Sequence, residues 1–243
     1  MCNSAGTYAY WEGDDRHWFY ELCWQTVKRW NPAAILLSRR DVEDLLGEIP
    51  RELDEICVVH RTDWVRKAVI ARVGGLWLDM DFICWTDLSP LARASPLFDF
   101  IGWKELHGTG WMDNFFAARR GSPIEVEAAA HALAEVRRQG KDLGWLSTNA
   151  DTMNYVIARH AQDRWIEIPP HLIGPVSVVS SDWFTAEEDN VDEEIAAFRS
   201  LGFMTSWQNL QYWLKGIPGP HALLAGRWRL SAMLRRGLGI TGG

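Results

Sequence analysis

Two aspartates, Asp79 and Asp81, stand one residue apart in the apolar run GLWLDMDFI, and the helical stretch before that run carries Asp63 and Arg66. Carboxylates this close repel each other, and burial removes the water that would screen them. A cation between or beside them relieves both penalties. With no histidine or cysteine pair nearby, oxygen donors favour a hard divalent ion, Mg2+ or Mn2+, which keeps coordination positions open for substrate phosphates. Strand periodicity puts Trp77, Asp79 and Asp81 on one face and Leu76, Leu78, Met80 and Phe82 on the other, so the carboxylates are expected to converge. Asp63 and Arg66, three apart on a helix, are neighbours on one of its faces. A helix cap at Asp63, with Arg66 paired to it, is the alternative reading of that pair.

The elements that must position these groups alternate. TYAYW reads as a first strand, and residues 16–30 show helical spacing that stops at Asn31 and Pro32. AAILL is a short strand, DVEDLLGEI a short helix, EICVV another strand, and residues 63–73 a helix closed by Gly74 and Gly75. GLWLDMDFI follows as one strand. Further strands are expected at 98–103, 114–118 and 164–168, and helices at 124–139 and 149–161, with Asn149 and Asp151 at the start of the last as candidates for a helix cap. The pattern predicts a single α/β domain over 1–243 with a mostly parallel central sheet flanked by helices, whose ligands sit at the carboxyl ends of strands. After Pro169 the pattern is less regular, and IPGPH breaks the chain before a final Arg-rich helix.

Composition bounds the function. At 243 residues and 47% hydrophobic content, the chain can bury a substantial core. Its fifteen tryptophans are spread throughout, which marks most of them as core, although flat rings also stack on sugars and nucleobases. The net charge of −7 is uneven: from Ile195 onward there are six Lys or Arg and no acid. The acidic remainder excludes general nucleic-acid binding. No run approaches the length of a membrane span, and the N-terminus lacks a basic region followed by an apolar one, so a soluble, cytoplasmic protein is expected. Cys2, Cys23, Cys57 and Cys84 are too scattered for a CxxC site and read as buried free thiols. His60, just before the motif, reads as a polar turn residue, the alternative being that it points into the cleft. Nucleophilic triads and glycine-rich phosphate loops are absent from the sequence.

The pattern T-D-x-x-R, then G-G-L-W-L-D-M-D, resembles the DxD region of glycosyltransferases of the capsular polysaccharide synthesis, initiating mannosyltransferase and clostridial glucosylating toxin group. AYWEGDD before a Trp-rich helix and DNFFAARRGSP downstream are similar to further segments of that group, so the likeness covers roughly residues 8–160. Residues 161–243 are left as an acceptor-side and basic helical part, and against the group's pattern Asn149 and Asp151 are either acceptor-side residues or a helix cap. The resemblance implies a GT-A type glycosyltransferase fold, a UDP- or GDP-sugar donor, a glycan or lipid-linked acceptor, Mn2+ or Mg2+, and transfer with retention. It implies that Asp63 and Arg66 hold the donor sugar and its ribose side, that Asp79 contacts sugar and ribose, and that Asp81, with Asp79, holds the metal. Trp11 would stack on the base, and Asn114 belongs to the matching downstream segment. The group's H-x-x-x-x-W segment has no clear counterpart here; GFMTSWQN is nearest, making Ser206 and Trp207 the candidates there.

A haloacid-dehalogenase-like phosphatase also begins a DxD after an apolar strand, but it expects a hydroxyl residue where this chain has Ile83. A non-catalytic sugar-binding module would suit the tryptophans and leave Asp63, Arg66 and the paired acids without a purpose. In the tail, Trp228, Leu230, Met233 and Leu234 alternate with Arg227, Arg229, Arg235 and Arg236. That basic amphipathic pattern suits peripheral contact with an anionic membrane or packing on the protein's own acidic residues.

Overall fold

The computed structural model describes residues 6–105, 110–174 and 180–240, so Cys2 lies outside the described residues. In chain order the elements are β1 (Thr7–Tyr10), α1 (Trp18–Trp30), β2 (Ile35–Leu37), α2 (Arg39–Leu46), α3 (Val58–Val73), β3 (Gly75–Leu78), β4 (Phe82–Cys84) and α4 (Ser89–Ala94). Then come β5 (Phe100–Lys104), β6 (Trp111–Ala118), α5 (Pro123–Gln139), α6 (Ala150–Ile157), β7 (Trp165–Ile168), α7 (Ser181–Thr185), α8 (Val191–Ala197), β8 (Gly202–Met204), α9 (Trp207–Leu214), α10 (Pro220–Ala225) and α11 (Arg229–Leu238). They form two compact units interleaved along the chain. Unit one comprises Met1–Glu12, Ala34–Asp79 and Ser89–Ile168; unit two comprises Gly13–Ala33, Met80–Leu88 and Pro169–Gly243.

Unit one is an α/β layer built on a six-stranded sheet of order β2-β1-β3-β6-β5-β7. β1 pairs parallel with β2 and β3, and β5 parallel with β7, whereas β6 runs antiparallel to both of its neighbours. The sheet is therefore mixed, with parallel pairings in the majority. Val65, Val69 and Ile70 of α3 and Ile124, Ala128, Ala132 and Val136 of α5 pack with Trp77, Phe100 and Phe116 of the sheet in one core.

The expected EICVV strand does not form. Residues 51–55 make a 3-10 turn, Cys57 is the N-cap of α3, and Val58 and Val59 are exposed first-turn residues. Their β-branched pattern mimicked a strand, but four apolar positions with no alternation cannot decide between strand and helix. Cys57 is accordingly exposed, unlike the buried Cys23 and Cys84. The earlier helix start also removes the capping role for Asp63, which lies in the second turn. At the other end, Gly74 and Gly75 both take positive φ, and a Cβ at either would meet the Arg120 amide nitrogen or the Gly6 carbonyl oxygen at 2.5 and 2.4 Å. Only glycine permits that approach, which sends the chain from α3 directly into β3.

GLWLDMDFI is not one strand. β3 ends at Leu78, the Asp79 amide donates to Asn114 O at 2.8 Å, and the chain turns through Met80 and Asp81 before entering β4. β4 pairs antiparallel with β8 in the two-stranded sheet of unit two. The alternation that would align Asp79 and Asp81 on one strand face is thus broken, and the two belong to different units.

Unit two is mainly helical. Phe19, Leu22 and Cys23 of α1, Ile195 of α8, Phe203 of β8, Leu210 of α9 and Leu230, Met233 and Leu234 of α11 share its core. Thr26 ties α1 to β4, its hydroxyl accepting from the Cys84 amide at 2.9 Å and donating to Cys23 O at 2.6 Å. The tail follows the second of its two expectations. The apolar face of α11 is buried in this core, Arg229 pairs with Glu194 and Glu188, and Arg235 pairs with Asp192. Among the described residues no helix is long and apolar enough to cross a membrane.

Candidate functional site

α3 has charged residues on a face that packs inward. Asp63 is 1% exposed, Arg66 5% and Lys67 fully buried, and β6 contributes Asp113 at 2%. The Arg66 guanidinium joins three carboxylates: NH2 lies 2.9 Å from Asp63 Oδ1 and 3.2 Å from Asp79 Oδ2, and NH1 donates to Asp113 Oδ1 at 2.8 Å. Lys67 Nζ pairs with the other Asp113 oxygen and donates to the Asp63 and Thr148 carbonyls at 3.0 and 2.8 Å. An arginine fork suits this work, since it presents several donors in one plane at fixed angles.

The remaining Asp63 oxygen, Oδ2, accepts from the Thr148 hydroxyl at 2.7 Å. That hydroxyl has one hydrogen, so His60, 2.8 Å away, must donate Nδ1–H to it. Burial alone would push the Asp63 carboxyl up, but Arg66 first, then His60, Lys67 and Thr148, outweigh it and hold the group below the usual carboxylate range. His60 is therefore a buried link in the network and not the turn residue its sequence context suggested.

Asp79 is where this network reaches the surface. Its side chain is 23% exposed, its Oδ1 accepts from the Trp77 indole at 2.9 Å, and its Oδ2 faces Arg66. A carboxylate fixed on both oxygens and open to solvent is a preset acceptor for hydroxyl groups. Behind the network, the Glu125 carboxyl is fully buried with no hydrogen-bond partner. Burial pushes it up to about 8, with Lys67 pulling it down and Asp113 adding to the rise.

In unit two, Asp81 sits at the start of α9. The Trp207 amide donates to Asp81 Oδ2 at 3.2 Å, and Thr205 donates to the Asp81 carbonyl from its amide at 3.3 Å and its hydroxyl at 2.8 Å. Unpaired amides at a helix start favour such a carboxylate. Ser206 is the residue before α9, and the Trp207 ring packs on His17 and Tyr20 at centroid distances of 4.6 and 5.1 Å. Asp81 is half-buried and offers hard oxygen donors, which fits Mg2+ or Mn2+. Asp79 fits a cation less well, because the Arg66 charge already faces it. Among the described residues no group of three or more His, Cys, Asp or Glu forms a closed metal cage.

The structure thus brings Asp63, Arg66 and Asp79 together in unit one, and Asp81, Ser206 and Trp207 together in unit two. Trp11 follows β1, its amide donating to Leu37 O at 3.0 Å. Asn114 accepts from the Trp103 indole through its side chain at 3.1 Å, and its backbone holds Asp79. Asn149 caps α6. Sequence reasoning missed Lys67, Asp113, Thr148 and the role of His60. The available signal was the pair Asp113 and Asn114: on alternate faces of a strand, one must point into the layer that α3 covers.

No protein-family model matches the chain, and comparison with curated proteins found no similar sequence. Among solved structures, the chain is similar to the apo-form glycosyltransferase GlyE of Streptococcus pneumoniae TIGR4, with 13% identity, a TM-score of 0.45, and coverage of 70% of this chain and 46% of that one. It is also similar to the PaToxG glycosyltransferase, with 11% identity, a TM-score of 0.46, and coverage of 98% and 87% respectively. This chain spans less than half the length of GlyE.

Proposed function

We propose that this chain is a metal-dependent glycosyltransferase of GT-A type, which moves a sugar, with retention, from a UDP- or GDP-sugar to a saccharide or lipid-linked acceptor. The observation that carries the reading is the Asp63–Arg66–Asp79 network, the same residues on which the sequence resemblance rests. Its chemistry suits a donor that has both hydroxyls and a diphosphate. Asp79, held by Trp77 and Arg66, accepts hydrogen bonds from sugar or ribose hydroxyls. The positive field of Arg66 favours the charge that accumulates on the departing nucleoside diphosphate, so it stabilises the transition state more than the ground state. Asp63 and Asp113 keep the guanidinium in one orientation.

Asp81, fixed by the Trp207 amide, would hold the metal, which supplies charge neutralisation at the diphosphate. On this reading Trp11 would take the base and Asn114 would belong with Asp79, while Ser206 and Trp207 would belong with Asp81. The test is turnover and thermal shift with UDP- and GDP-sugars, with and without Mn2+. Ligand binding raises apparent stability by mass action, so micromolar affinity is readable. Asp81→Asn is expected to lose metal-dependent donor binding and at least about a hundredfold in rate while the melting point without ligand stays within a few degrees. An unchanged rate would remove the metal assignment.

A further inference from the structure

A cavity of about 660 Å³ opens in unit one at the start of β3, lined by Tyr8, Asp44, Arg72, Ser95, Arg120 and the Gly74–Gly75 pair. It is a different place from the candidate site. Asp79 follows the last residue of β3 and the cavity meets its first, roughly 13 Å away at about 3.3 Å per strand residue.

The lining is unsatisfied in one direction. Arg120 is exposed with no carboxylate partner among the described residues. Arg72 is exposed too, anchored only through Nε–H to Leu45 O at 3.3 Å, which leaves its two terminal nitrogens for a ligand. The Ser95 hydroxyl is fully buried and has no hydrogen-bond partner. Burial raises the Tyr8 phenol, which keeps it a proton donor at any physiological pH. The two arginine backbones are held close together, because Gly121 N–H donates to Ala71 O at 2.8 Å and the Arg120 amide packs directly on Gly74.

From two arginine forks and the Tyr8 phenol around one cavity, we propose a binding site for a small phosphate ester. Arg72 and Arg120 take the phosphoryl oxygens, Tyr8 donates to the same group, and the volume exceeds what an inorganic ion fills. Asp44, the lone acid of the lining, would repel a second anionic group and accept from a hydroxyl on the ligand body. That selects a monoester bearing hydroxyls over a diphosphate.

The test is isothermal titration of the intact protein with glycerol 3-phosphate, inorganic phosphate and gluconate, repeated on Arg120→Ala, Arg72→Ala and Asp81→Asn. Glycerol 3-phosphate is expected to bind most tightly. Its affinity should fall at least about tenfold in each arginine variant and stay unchanged in Asp81→Asn, which separates this cavity from the donor site. Both arginines are exposed, so the variants are expected to keep the wild-type melting point. Equal binding by the wild type and the arginine variants would overturn the site. Gluconate binding as tightly as the phosphate ester would overturn the ligand class.

Discussion

α3 and α11 are both arginine-bearing helices at the heart of their units, and they treat charge in opposite ways. α11 keeps Leu230, Met233 and Leu234 inside and leads its charge outward: Arg235 is itself buried, but its guanidinium ends on the exposed Asp192 and on the Leu224 and Gly226 carbonyls. α3 puts Asp63, Arg66 and Lys67 inside. A buried ion network is weak support for stability, since well-packed apolar residues of similar volume often do as well or better. The α11 arrangement is what folding alone favours. The α3 arrangement points to a role for its charges beyond folding, and Asp79, at its exposed end, is the place to look for it.

The comparison breaks most visibly at Arg66. Arg66→Met leaves three carboxylates facing one lysine, and chemical denaturation is expected to show a loss of about 3–5 kcal/mol. A loss below about 1 kcal/mol would mean that water already screens the network. Arg66→Lys sharpens the same point: it keeps the charge, and is expected to lose most donor turnover because a point donor cannot span Asp63, Asp79 and Asp113.

Glu125 supplies the next largest effect, through pH. Its folded pKa of about 8 lies above its ordinary value of 4.5. Below that ordinary value both folded and unfolded chains are protonated. From there to about pH 8 the unfolded chain releases a proton that the folded chain keeps, so stability falls as pH rises, and above 8 the loss is complete. Glu125→Gln removes this slope, and its stability advantage over wild type is expected to grow by on the order of 3 kcal/mol between pH 5 and pH 8.5, read from urea midpoints. A constant difference would show that Glu125 ionises freely. Asp63 acts in the opposite sense, its contribution being lost as pH falls through its depressed pKa.

Changes at the arginines in and just before α11 are expected to be smaller. Arg235→Ala gives up a paired carboxylate and two carbonyl contacts, for about 1–2 kcal/mol. Arg227→Ala, at a pair with both side chains largely exposed, is expected to stay within about 0.5 kcal/mol by thermal melting.

The same contrast explains what the sequence made readable. α11 was legible because its apolar residues recur at helical spacing, although its neighbours were not; only the structure showed that α8 and Glu188 before it supply the acids. The start of α3 was misread because Val58 and Val59 are β-branched and its inward face carries charges where a pattern search expects apolar residues. Asp63, Arg66 and Asp79 stood out by type and spacing. Lys67, Asp113 and Thr148 did not, since their side-chain partners lie 46 to 88 residues away in the chain. The break after Leu78 was hidden by apolar residues on both sides of the turn, a pattern that a continuous strand shares.

Interleaving of the two units has a consequence for biosynthesis. The chain passes between them five times, and α1 packs on α11, so the first helix made is completed by the last. At about 5–20 residues per second, a ribosome needs on the order of 10–40 s to travel from one to the other. Throughout that interval Phe19, Leu22 and Cys23 lack their final cover. The nascent chain is therefore a natural client for chaperones that shield apolar segments, and its yield in a cell depends on that wait as well as on the stability of the finished protein.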